Sequence, residues 1–229
     1  MSAREILDEF DIENLPDLDT AVLGALELLA EGGLPDSTLP YRRPLVIGSA
    51  GAGVVGQMLF ANNDAVFADE SGVEQTLSKS SDIDGAVIIS ASGGKHAVDV
   101  AKTLKEKGIE TVLFTNNTNA PAGEFVTQKN VRIFPKNREP YTYNTSTYLS
   151  MLLADTGESA AAITEHIKKV VEPKLSHSHL GSFGSFVLIV PPEFREVRAM
   201  FRIKFDELFG PYLTGRMFTC EEIKHAKTV

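Results

Sequence analysis

The sequence predicts an α/β protein built on a parallel sheet with helices on both faces. Three observations lead there. Short apolar runs recur at Pro44-Leu45-Val46-Ile47, Gly85 to Ser90, Glu110 to Thr115 and Val131 to Phe134. Segments with apolar residues at helical spacing separate them. Loops rich in glycine or serine follow the first two runs. Strands alternating with helices imply a parallel sheet covered on both faces. Such open sheets bind ligands beyond the carboxyl ends of their strands, which singles out the loops after Ile47 and Ile89.

Taken in order, Ile6 to Glu31 reads as helical and closes at Gly32-Gly33. Leu34 to Pro44 carries three prolines and is a connector. After the first strand, Gly51 to Asn62 is a glycine-rich turn opening a helix. Ala65 to Ala68 suits a strand and Val73 to Ser80 a short helix. Gly85-Ala86-Val87-Ile88-Ile89-Ser90 is the strongest strand in the chain. His96 to Lys107 is an amphipathic helix stopped by Gly108, and Thr145 to Ala154 is a further helix. The pattern then restarts: a helix over Ala160 to Val171, a loop over Ser176 to Ser185, a strand at Phe186 to Val190, and a helix over Pro192 to Phe209 with proline at its start. Phe218 to Val229 reads as a strand end leading into a helix. The expected domains are a helical segment over 1–40, an α/β domain over 41–158, and an incomplete second α/β unit over 159–229; either that unit is a small appendage or the sequence is a piece of a longer protein.

Bulk properties narrow the partners. The formal net charge of −9 over 229 residues argues against a nucleic-acid binder, because that affinity rests on neutralising phosphates with Lys and Arg. A small anionic ligand needs only local donors and stays open. Cys220 is the sole cysteine, so no internal disulfide forms, in keeping with a reducing compartment. No apolar stretch is long enough to span a membrane, and the acidic start is no signal peptide. The expectation is a cytoplasmic protein.

Ser90-Ala91-Ser92-Gly93-Gly94-Lys95 lies between the strongest strand and a helix. Its hydroxyls are donors for phosphate oxygens, and its glycines allow the backbone N–H groups to approach. The helix beginning near Lys95 or His96 adds free N–H groups and a positive dipole end. Lys95 adds a formal charge. The same residues also make a tight strand-to-helix turn, so the local pattern alone does not choose between the two. Gly48-Ser49-Ala50-Gly51-Ala52-Gly53-Val54-Val55-Gly56 contains Gly51-x-Gly53-x-x-Gly56, a weak dinucleotide signal, with Asp69 or Glu70 available for a ribose. Thr145, Ser146 and Thr147 open a helix, where hydroxyls usually serve as caps. Glu207 and His225 are the candidate acid–base pair for proton transfer between adjacent carbons and for ring opening. His177, His179 and Cys220 are poor evidence for a metal.

These residues resemble the sugar-isomerase (SIS) domain family. Four stretches carry the resemblance: Ile47 to Gly56, Ile89 to Gly94, Asn144-Thr145-Ser146-Thr147, and Glu222-Ile223-Lys224-His225 with Glu207 one helix upstream. The first is similar to the loop of bifunctional phosphoglucose/phosphomannose isomerases. The last is similar to the isomerase half of glucosamine-6-phosphate synthase. The resemblance implies a flavodoxin-like α-β-α sandwich with a five-stranded parallel sheet. It also implies a phosphorylated sugar as ligand, no metal and no cofactor, and a homodimer. Gly48, Ser49, Ser90, Ser92, Gly93, Gly94, Lys95, Thr145, Ser146 and Thr147 would hold the phosphate. Glu207 would shuttle a proton between C1 and C2, and His225 would assist ring opening. Gly94 and Lys95 depart from the family pattern, which has a polar residue and then threonine there. The functional expectations are a sugar-phosphate aldose–ketose isomerase, a non-catalytic phosphosugar-binding regulatory module, or a NAD-type nucleotide-binding domain.

Overall fold

A computed structural model describes residues 1–175 and 180–226. The chain divides into two compact units, Met1–Val171 and Glu172–Val229.

The first unit contains a five-stranded sheet of β1 (Pro44–Ile47), β2 (Val66–Ala68), β3 (Gly85–Ile89), β4 (Thr111–Thr115) and β5 (Val131–Ile133). Its order is β2-β1-β3-β4-β5, and every pair is parallel. The register runs Leu45↔Ala86, Ile47↔Ile88 and Ile88↔Leu113. Side chains alternate across a strand, so these residues share one face. There they meet Val73 of α4 (Val73–Lys79) and Ala97, Val100, Ala101 and Leu104 of α5 (His96–Glu106). The apolar runs at β1, β3 and β4 are buried throughout, as strands covered on both sides must be.

The other face carries Val46, Val87, Ile89 and Phe114, all buried. Phe114 packs against Phe134 with ring centroids 5.1 Å apart. The helix α3 (Ala50–Leu59) lies close on this side. A Cβ on Gly56 would come within 2.8 Å of Val46 Cγ1 and 3.2 Å of Ile89 Cδ1. A Cβ on Gly51 would meet the Tyr148 ring at 2.9 Å, where α3 approaches α6 (Thr145–Thr156). These two glycines are therefore occupied by packing.

The N-terminal segment forms two helices instead of the single helix expected over Ile6 to Glu31: α1 (Ala3–Glu9) and α2 (Leu18–Ala30). Pro16 explains the break, because proline lacks an N–H and disfavours helix in the residue before it. Ser2 and Glu5 form a capping box at the start of α1. Arg138 closes its other end, donating to the carbonyls of Leu7 (3.2 Å), Asp8 (2.8 Å) and Phe10 (2.6 Å). Leu26 and Leu29 of α2 pack with Leu153 of α6 and Ala160 of α7 (Ala160–His166). The N-terminal helices thus belong to the sheet-containing unit.

The second unit holds α8 (Glu172–Leu175), β6 (Ser185–Val190), α9 (Val197–Phe209), β7 (Thr214–Thr219) and α10 (Cys220–His225). β6 and β7 form a two-stranded parallel sheet. The expected helix from Pro192 begins as a 3-10 turn, Pro192–Phe194, before α9. Among the described residues no helix is long and apolar enough to cross a membrane.

Gly56→Ala is expected to destabilise the protein by about 1–3 kcal/mol through overpacking against β1 and β3, seen as a lower denaturant midpoint. An unchanged midpoint would show that the α3–sheet contact has slack.

Candidate functional site

The parallel register brings the carboxyl ends of the strands, and the helix starts that follow them, to one edge of the sheet. A cleft of about 500 Å³ opens there. Ser49 reaches it from the end of β1, Ser90, Ala91 and Ser92 from β3, and Asn116 and Asn117 from β4. Lys136, Asn137 and Glu139 come from the segment after β5, and Thr147 and Tyr148 from α6. Glu70 comes from the segment after β2.

The loop after β3 is held from several sides. Gly93 N–H donates to Ser90 Oγ at 3.2 Å, and Gly94 N–H to Ser92 Oγ at 3.3 Å. Each serine oxygen thereby accepts from backbone, leaving its hydroxyl hydrogen to donate elsewhere. Thr115 Oγ1 donates to Ala91 O at 2.9 Å, and Asn117 Nδ2 to Ser92 O at 2.9 Å. Gly93 has φ +60°, and its carbonyl accepts from Ala122 N–H at 2.9 Å. A Cβ there would lie 2.5 Å from Ala120 Cβ. Glycine is therefore required at 93, both by conformation and by space. At Gly94 the nearest atom to a Cβ is Ser92 Oγ at 3.6 Å, which leaves room for a side chain.

Among the described residues, the non-glycine residues with positive φ are Ala50, Lys95 and Asn144. They stand at the starts of α3, α5 and α6, the helices that follow strands ending at this edge. Backbone strain of this kind collects at functional sites. Lys95 itself is exposed and does not line the cleft. Among the described residues, the cation that does is Lys136.

The start of α6 is already occupied by a carboxylate. Thr145 N–H donates to Glu139 Oε2 at 2.6 Å, and Ser146 N–H to Glu139 Oε1 at 2.8 Å. Ser146 Oγ also bonds Glu139, and it accepts from Asn137 N–H at 2.9 Å. A negative side chain at a helix N-terminus satisfies free N–H groups and meets the positive end of the dipole. Ser146 is fully buried in this network. Of the three hydroxyl residues proposed from the sequence, only Thr147 faces the cleft, where its Oγ1 accepts from Asn116 Nδ2 at 2.7 Å.

The structure therefore brings Ser49, Ser90, Ser92 and Thr147 together around one cavity. Gly48 and Gly93 do not line it; Gly48 lies against Gly53 of α3 and Gly93 against Ala120. Asn116, Asn117, Lys136 and Glu139 were not singled out from the sequence. Their signal was positional, since each follows the end of a recognised strand, at Thr115 or Phe134. The dinucleotide pattern fares differently. The sheet order here is not the 3-2-1-4-5-6 of dinucleotide-binding folds, and Gly51 and Gly56 serve packing. The Asp69 carboxylate is engaged locally by Ser71 Oγ and Gly72 N–H, each at 2.7 Å.

Glu207 and His225 lie in the second unit, on α9 and at the end of α10. Both are exposed. Glu207 pairs with Lys204 at 2.8 Å. Arg198, in the first turn of α9, pairs with Glu222 of α10. Glu222 also completes a capping box with Thr219, so the Glu-Ile-Lys-His stretch has a structural role at the start of α10. His177 and His179 lie outside the described residues. Among the described residues no cluster of His, Cys, Asp or Glu is arranged to hold a metal.

Gly93→Ala should cost about 1–3 kcal/mol from the positive φ and the clash with Ala120, whereas Gly94→Ala should stay within about 0.5 kcal/mol. Equal effects of the two in thermal unfolding would contradict the loop geometry.

No protein-family model matches the chain, and no curated protein matches it in sequence. Solved structures do match in three dimensions. Glucosamine-6-phosphate deaminase from Thermotoga maritima superposes with TM-score 0.62 at 14% identity, over 91% of this chain and 72% of that one. A Clostridium difficile 630 protein designated a phosphosugar isomerase gives TM-score 0.56 at 15% identity, over 92% and 71%. An Escherichia coli CFT073 protein in complex with arabinose-5-phosphate gives TM-score 0.50 at 16% identity, over 70% and 94%. The chain thus shares with these structures an α/β fold with an all-parallel 2-1-3-4-5 sheet between helices, the SIS-type, flavodoxin-like fold expected from the sequence.

Proposed function

We propose that the cleft binds a phosphorylated sugar. The observation that carries this reading is the convergence of Ser49, Ser90, Ser92 and Thr147 hydroxyls, the Asn116 and Asn117 amides and Lys136 on one cavity of about 500 Å³. Hydroxyl hydrogens, backbone N–H groups and one ammonium suit the oxygens of a phosphate. The amides and hydroxyls at the remaining wall suit the alternating donors and acceptors of a sugar. Clefts of this size commonly hold small ligands. The fold's neighbours act on or contain phosphosugars by their own descriptions, which agrees with the chemistry of the lining.

Catalysis is the finer part of the proposal. In an aldose–ketose isomerisation of the phosphoglucose/phosphomannose type, Glu207 would take the proton from C2 of the open-chain aldose and return it to C1. An enediol lies between, with no net oxidation. His225 would move a proton between the ring oxygen and the anomeric hydroxyl. A non-catalytic regulatory role is the second reading. It is favoured by the engagement of Glu207 with Lys204 and of Glu222 with Arg198.

Fructose 6-phosphate is expected to raise the melting temperature. Lys136→Met should weaken binding about tenfold, as loss of a charged hydrogen bond does, while Ser90→Ala should weaken it several-fold. No thermal shift with any sugar phosphate would overturn the binding reading. For turnover, the protein incubated with fructose 6-phosphate in heavy water should exchange the C1 proton. Glu207→Gln should abolish exchange and leave the thermal shift intact. Absence of exchange in the parent protein, with binding retained, would select the regulatory reading.

A further inference from the structure

We propose that Glu139 is a specificity-determining residue that restricts the cleft to sugars carrying a single phosphate. The inference rests on the phosphosugar reading above and adds to it where the phosphate goes and what is refused. The start of α3 and the serine loop follow the ends of the paired strands β1 and β3 and so serve one anion between them, while the start of α6 is a second potential anion site. The start of α6 is not available: the Thr145 and Ser146 N–H groups and the Ser146 hydroxyl are all committed to the Glu139 carboxylate. Asn137 N–H fixes Ser146 Oγ from the opposite side at 2.9 Å, so the serine is held by both of its neighbours in the network. A phosphate at this helix would have to displace a carboxylate that is covalently tethered six and seven residues away and pays no association cost.

The charges lining the cleft point the same way. Among the described residues they are Glu70, Glu139 and Lys136, two negative against one positive, a net of −1. One dianionic phosphate can be met by Lys136 together with the Ser90–Ser92 loop, whose serine hydroxyl hydrogens are not used by the backbone. A second phosphate would face Glu139 without a second cation. The one lone pair left on the Glu139 carboxylate, at Oε2, can instead accept from a sugar hydroxyl, a neutral donor. The cleft thus has one end that attracts an anion and one that accepts a hydroxyl, a polarity that fits a monophosphate and disfavours a bisphosphate.

The test is calorimetric titration of the full chain with fructose 6-phosphate and with fructose 1,6-bisphosphate. The parent protein should prefer the monophosphate by about tenfold or more. Glu139→Gln, which keeps the shape and one acceptor, should erase most of that preference. Glu139→Asp, which keeps the charge, should retain it, so a change caused by disturbed folding is separated from one caused by charge. Glu70→Gln, at a residue that follows β2 and makes no hydrogen bond to the start of α6, should shift the ratio much less. A preference unchanged in Glu139→Gln, with monophosphate binding intact, would overturn the inference and leave the phosphosugar reading standing. Failure of the parent protein to bind either sugar would remove both.

Discussion

Every functional group in the cleft depends on the parallel pairing of five strands. Parallel pairing sends all carboxyl ends to one edge, and each is followed by a loop that turns into a helix. Ser49, Ser90, Asn116 and Lys136 are far apart in sequence, yet each follows closely on the end of its strand, β1, β3, β4 and β5. The register Ile47↔Ile88 and Ile89↔Phe114 sets their relative heights. Slipping one strand by a residue would reverse its buried face and withdraw its loop from the cavity. The apolar runs that build the core are therefore also what aligns the polar loops.

Around that edge, some polar groups brace the fold and others face the cleft. Thr115 and Asn117 brace the serine loop through its carbonyls, leaving the two serine hydroxyls free to donate. Asn116 orients Thr147. Glu139 and Ser146 are committed to the α6 terminus, and Arg138 beside them closes α1. The short segment 136–139 thus presents a cation to the cleft, ties down α1 and caps α6. Cleft shape and attachment of the N-terminal segment are coupled through adjacent residues.

Much of this was legible in the sequence. Continuous apolar runs bounded by glycine marked β1, β3 and β4 because strands covered on both faces need no alternation. The serine–glycine loop stood out because it followed the strongest run. The N-terminal break was harder to read, since α1 and α2 keep compatible apolar spacing and only Pro16 interrupts them. The role of Glu139 was not legible. It follows a proline-flanked connector with no periodicity, and its partner at Ser146 is identified only by the backbone path. The threonine–serine cluster pointed correctly to a helix start, but which hydroxyl faces outward depends on the helical rotation that Glu139 and Asn116 fix. Glu207 and His225 were found by similarity to a motif, and in the structure they belong to the second unit.

The proposed position of the phosphosugar is the carboxyl edge of the five-stranded sheet. It is tested most directly by following backbone amide resonances of labelled protein during titration with fructose 6-phosphate. Saturable shifts are expected, concentrated at residues 49–52, 90–94, 116–117 and 136–148. Saturable shifts elsewhere with those amides unmoved, or no shifts at all, would contradict it.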